Sequence, residues 1–151
     1  MRRPTLPWLL PLWLGPLIFG TATQAAEIAT IKVLHGMVSV ERAGHSLPGV
    51  LGLGLAQADQ VVTGTDGTVG ITFQDNSLLS LGPNSRLTVD RFEFDSTTHE
   101  GSFETSLKRG KLAVISGKIA KHQEDAMKVR TPSSVLGVRG TEFVVEVAGE
   151  R

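Results

Sequence analysis

Apolar and polar residues alternate with a period of two along much of this chain. Val69, Ile71 and Phe73 share one face of a segment whose other face is Thr68, Gly70 and Thr72. Leu87 and Val89 alternate with Arg86, Thr88 and Asp90, and Phe143, Val145 and Val147 alternate with Glu142, Val144 and Glu146. Successive side chains of a strand point to opposite faces, so each segment predicts a strand with one face buried. Shorter apolar runs at Ile31–Val33, Met37–Val40, Val61–Val62, Leu78–Leu81, Leu112–Ile115 and Met127–Arg130 predict further strands. Between them lie Gly64-Thr65-Asp66-Gly67, Asp75-Asn76-Ser77 and Gly82-Pro83-Asn84-Ser85, whose residue types favour turns. Phe92 and Phe94 fall out of phase with Leu87 and Val89, which predicts a β-bulge near Arg91.

No segment beyond residue 25 sustains a helical period. Gly117–Glu124 carries Lys118, Lys121, His122, Gln123 and Glu124 and predicts an exposed connection rather than a helix. Arg91–Gly101 is expected to leave the sheet for a polar tip at Ser96-Thr97-Thr98-His99. The fold class is therefore all-β, with short strands in a solenoid-like roll or a β-sandwich. Periodicity leaves that choice open.

The N-terminus changes the picture of where the domain works. Arg2 and Arg3 precede an apolar run from Trp8 to Phe19, which ends in the small residues Gly20-Thr21-Ala22-Thr23-Gln24-Ala25-Ala26. A basic start, a short apolar stretch and a small-residue cleavage site make up a signal peptide. Pro11 and Pro16 interrupt the run, and it falls short of the ~20 apolar residues that span a bilayer. The expected organisation is a signal peptide over 1–25, an N-terminal β segment over 26–54 and the main β domain over 55–151. The expected compartment is the periplasm, with secretion as the alternative and no stable membrane insertion after cleavage.

Composition narrows the partners. Residues 1–25 hold Arg2, Arg3 and no acid, so cleavage takes the balance of 15 basic and 15 acidic residues to about −2. Such a charge gives no footprint for nucleic acid. Trp8 and Trp13 fall inside the signal segment and the chain has no tyrosine, which weighs against a carbohydrate platform. Without cysteine, the domain must stand on its core alone.

Catalytic motifs are missing from the sequence. It contains no G-x-S-x-G elbow, no H-E-x-x-H and no P-loop. His35, His45, His99 and His122 are widely spaced, and Asp66, Asp75 and Asp90 lie singly at strand ends, without the clustered oxygens of a calcium loop. The expectation is no enzyme, no cofactor and no metal. The distinctive stretch is Val129–Phe143. Pro132 biases Thr131 toward extended geometry, and Gly137 and Gly140 flank Val138-Arg139. Arg139 is expected to donate to carbonyls or to pair with a carboxylate such as Glu142. Two readings stay open for this stretch, a fold-defining corner or a partner contact.

These residues resemble the FecR family. Its pattern opens on Gly-Asp before a Thr-Gly turn, passes through D-G-S and P-N-S/T turns, and closes on T-P-x-A-x-x-G-V-R-G-T-E-F. Here stand Ala58-Asp59, Thr63-Gly64, Asp75-Asn76-Ser77, Pro83-Asn84-Ser85, Thr131-Pro132 and Gly137-Val138-Arg139-Gly140-Thr141-Glu142-Phe143. Departures are Ala58 for glycine, Asn76 for glycine and Ser134 for alanine. The resemblance implies an all-β periplasmic domain without catalytic activity. The best-known members are transmembrane regulators of iron uptake with a cytoplasmic anti-sigma region. A signal-like segment in place of that region and its helix implies the domain more strongly than the relay. The expected partner is a protein or an envelope component, met at the signature residues or at the strand edge Val144, Val145, Glu146 and Val147. A structural, self-assembling module is the alternative.

Overall fold

The computed structural model describes residues 24–140 and 142–149. The expected signal peptide and Thr141 of the signature thus lie outside the described residues, apart from Gln24 and Ala25. The strands are β1 (Glu27–His35), β2 (Val38–Arg42), β3 (His45–Pro48), β4 (Gly54–Ala56), β5 (Gln60–Thr63), β6 (Thr68–Phe73), β7 (Leu78–Leu81), β8 (Arg86–Phe94) and β9 (Gly101–Ile115). A short helix α1 (Lys118–His122) follows, then β10 (Met127–Arg130), β11 (Val135–Val138) and β12 (Glu142–Val147).

One long strand organises the sheet. The first part of β9 pairs with β8 on one side and, in parallel, with β10 on the other. Its last part pairs with β7 and β12. From β8 the sheet continues through β5 and β2 to β3, and from β7 through β6 and β1 to β4. The two arms curl toward each other as an open, largely antiparallel half-barrel, which gives the all-β expectation its form as a curled roll. The apolar face of each strand points into the curl. Ile31, Val40, Val61, Ile71, Leu79, Leu87, Phe103, Leu112 and Val129 are buried there. Phe73, Phe92 and Phe103 meet with ring centroids 4.4–5.3 Å apart. Each such side chain contributes roughly 1.5–3 kcal/mol by leaving water.

The turn motifs turn out to be buried polar hubs. Asp59 is 1% exposed, and its carboxylate accepts from Arg42 Nε (2.9 Å), Arg42 Nη2 (2.6 Å) and the Ala56 amide (2.8 Å). The bond to Asp59 holds the Arg42 guanidinium above its ordinary pKa. Thr63 Oγ1 donates to the Gly82 carbonyl and accepts from the Ser85 amide. Ser85 Oγ in turn accepts from the Lys111 amide at 3.0 Å, so this turn is stitched to the bend of β9. Gly110 sits at that bend with φ +94°, where a Cβ would collide with the Ser85 side chain. Asp75 accepts from the Ser77 amide and hydroxyl, and its carbonyl accepts from Lys118 N at 2.8 Å.

That last contact corrects the reading of Gly117–Glu124. The segment holds α1, and Ile119 and Ala120 are buried. One helical turn is too short for a period to register in sequence. Two strand limits also move. Leu112–Ile115 is the end of the 15-residue β9, whose first part carries many polar residues on its outward face. Arg91–Phe94 stays in the sheet, pairing as far as Phe94↔Gly101, so the polar tip starts at Asp95. The bulge falls where the phase slip puts it, between Val89 and Arg91.

Candidate interaction site

The signature builds a corner and then an edge. Strand β10 ends at Arg130. Thr131 N donates to the Ser134 carbonyl (2.8 Å) and Ser134 N donates to Thr131 Oγ1 (3.0 Å), which closes the turn around Pro132. The chain then returns along β10 as β11, in register from Arg130↔Val135 to Met127↔Val138. Val138 is buried in the core. Gly137 lies under the exposed Asp125 side chain, whose Oδ1 would sit 2.6 Å from a Cβ and would have to swing aside to admit one. Gly140 adopts φ +53° as the chain heads for β12. Arg139 pairs with Glu124 at 3.0 Å, both side chains being exposed. The expected pairing with Glu142 is replaced, because the corner aims the guanidinium outward toward the segment after α1.

Glu142–Val147 forms β12 against the end of β9, from Glu142↔Ile115 to Val147↔Gly110. Among the described residues β12 has no second neighbour, so its other edge is open. Phe143, Val145 and Val147 pack only partly against the core. Val144 is 61% exposed on the outer face. There it registers with Ala113, and Glu142 registers with the exposed Ile115, which faces the exposed Leu78 of β7. Glu146 pairs with Lys111 at 3.4 Å.

The outer face of the other arm is a polar lattice. Arg86 donates to Gln60 Oε1 (2.6 Å), Gln60 donates to Thr88 Oγ1 (3.0 Å), and Arg130 meets Glu104 (2.9 Å). That bond from Arg130 holds the Glu104 carboxyl below the usual glutamate range. At the polar tip, the amides of Thr98 and Thr97 do the same for Asp95. At the Val147 end of β12, a cleft between β8, β9, β12 and the turn at Pro132 is lined by Arg86, Lys108, Arg109, Pro132, Val147 and Ala148. No sequence signal marks this cleft, since it depends on the register that sets Arg86 opposite Arg109.

The fold brings two of the four histidines together. His99 and His122 approach edge to face with centroids 6.5 Å apart, and His99 stacks on Phe94. No group of three or more metal-capable side chains occurs among the described residues.

The fold is a curled β roll with polar hubs beneath its turns and an open strand edge. The model of the FecR protein family matches residues 59–151, more than half of the chain, and the chain belongs to that family. The family is one of signal regulation and sensing, regulatory rather than enzymatic. No curated protein and no solved structure matches the chain. No helix among the described residues is long and apolar enough to cross a membrane.

Proposed function

We propose that this domain is an exported, non-enzymatic interaction module of the periplasm. It captures an extended segment of a protein partner along the open edge of β12, within a sensing or regulatory assembly. The observation that carries the reading is the edge itself. Strand β12 offers unpaired backbone groups beside Phe143, Val145 and Val147, which the core only half covers. An added strand would satisfy those groups and complete the burial. Export rests on the signal-like N-terminus, and the regulatory context on the family.

Neighbouring residues of a strand direct their N–H groups to opposite sides. Of Val144→Pro and Val145→Pro, one therefore breaks the ladder to β9 and the other blocks only the open edge. The variant that keeps its thermal melt is expected to lose partner capture from an envelope extract. Undiminished capture by that folded variant contradicts the reading. Self-assembly through the same edge is less favoured. Two antiparallel β12 strands centred on Val144 would set Glu142 opposite Glu146, and like charges directly across a ladder destabilise it.

A further inference from the structure

We infer that the cleft at the Val147 end of β12 is a carboxylate-binding subsite, which reads an acidic residue at one end of the strand added to that edge. The inference rests on the edge reading above and names the partner's chemistry. Its first support is uncompensated charge. Arg42, Arg91, Arg130 and Arg139 each have a carboxylate within 3.0 Å. Arg86 has Glu41 at 3.5 Å. Arg109 has no carboxylate partner among the described residues, and neither does its neighbour Lys108. Both side chains are exposed.

The second support is placement. Arg109 registers directly with Arg86, whose charge is met by Glu41 from β2, so Arg109 faces a like charge and has no acid of its own among the described residues. The chain balance is slightly acidic once the signal segment is removed, yet three cations gather at this corner. Pro132, Val147 and Ala148 form the apolar wall, which suits the methylene stem of an Asp or Glu. Arg109 directly precedes Gly110, the register partner of Val147, so the cations stand where an added strand would run off β12.

The other end of the edge carries the opposite sign. Glu142 has no ion pair among the described residues, so the edge is polar along its length, negative at Glu142 and positive beyond Val147. An antiparallel strand added here would begin near the cleft. The fitting partner segment therefore has acid at its N-terminal end and no acid opposite Glu142. Electrostatics of this kind sets register and direction more than raw affinity.

The test uses a short capped peptide of alternating threonine and valine with two aspartates at its N-terminal end, and the same peptide with two asparagines. Fluorescence anisotropy reads binding to the mature protein at low and moderate salt. The aspartate peptide is expected to bind about tenfold more tightly or better, a preference of ~1.4 kcal/mol, and to lose it at higher salt. The folded Lys108→Glu/Arg109→Glu variant should lose the preference and prefer a lysine-ended peptide instead. Equal binding of both peptides to the wild type overturns the cleft inference and leaves the edge reading standing. Binding of neither peptide overturns the edge reading, and the inference with it. Displacement of the aspartate peptide by equimolar inorganic phosphate, or Arg109-dependent binding to vesicles of anionic phospholipid, identifies a phosphate site and overturns the peptide assignment.

Discussion

At the residue scale, the turn residues could be read from sequence as turns but not as buried hubs. Asp59, Thr63, Asp75 and Ser85 are polar, and the last three lie next to glycine or Asn, so composition places them at the surface. The structure buries all four and satisfies each with hydrogen bonds that tie distant strands together. Nothing in a linear pattern announces that Asp59 will meet Arg42, because the pair forms only once β2 and β5 align. Ala58 is one of the three departures from the family pattern, and, unlike Asn76, it is a residue type that the left-handed region strains. It adopts φ +71°, a region that costs an L-residue roughly 1 kcal/mol and glycine nothing. Ala58→Gly is therefore expected to stabilise the domain, by up to about 1 kcal/mol after the greater freedom of glycine in the unfolded chain is set against the relief. A thermal melt or urea titration checks it, and a loss of stability would mean that the surrounding turn relaxes to accept the methyl.

At the element scale, strands with clean alternation were legible and those with a polar outer face were cut short. Residues Gly101–Lys111 of β9 interleave Phe103, Thr105 and Leu107 with Glu104, Ser106 and Lys108, a pattern too sparse in apolar residues to stand out. Helix α1 leaves no period in the sequence for a different reason. Its entire apolar content is Ile119 and Ala120, and Ile119 packs fully against the core. Ile119→Ala should cost roughly 2–4 kcal/mol, as a large-to-small change in a core does. Had the segment been the exposed connection its polarity suggests, the same change would stay within about 0.5 kcal/mol. The junction of β9 and β10 also carries a pH dependence. Glu104 has a lowered pKa through its bond from Arg130, so this contribution is complete above the ordinary glutamate range. It is lost as pH falls through the lowered folded value. A carboxyl NMR titration should place the Glu104 midpoint below that of free glutamate, and Arg130→Gln should return it. A midpoint unmoved by that substitution would assign the shift to another cause.

At the scale of the whole molecule, the family match and the fold draw different boundaries. The match begins at Asp59, and the sequence suggests a division between 54 and 55. In the structure β1 lies between β6 and β4, registering with β6 from Ala29↔Phe73 to His35↔Thr68. Ile28, Ala29 and Ile31 of β1, Val38 and Val40 of β2, and Leu55 of β4 are part of the one buried cluster. A chain starting at Asp59 would leave one edge of β6 unpaired and β5 without β2, and would remove Arg42 from the buried Asp59 carboxylate. An unpaired charge in that position is among the costliest defects a fold can carry. Together with the core side chains that β1, β2 and β4 contribute, the loss is of the same order as the roughly 5–15 kcal/mol by which most domains are stable. A fragment covering residues 59–151 is therefore expected to lack a cooperative melt and dispersed amide signals, while residues 26–151 show both. A fragment 59–151 that melts cooperatively would demote β1–β4 to an accessory layer.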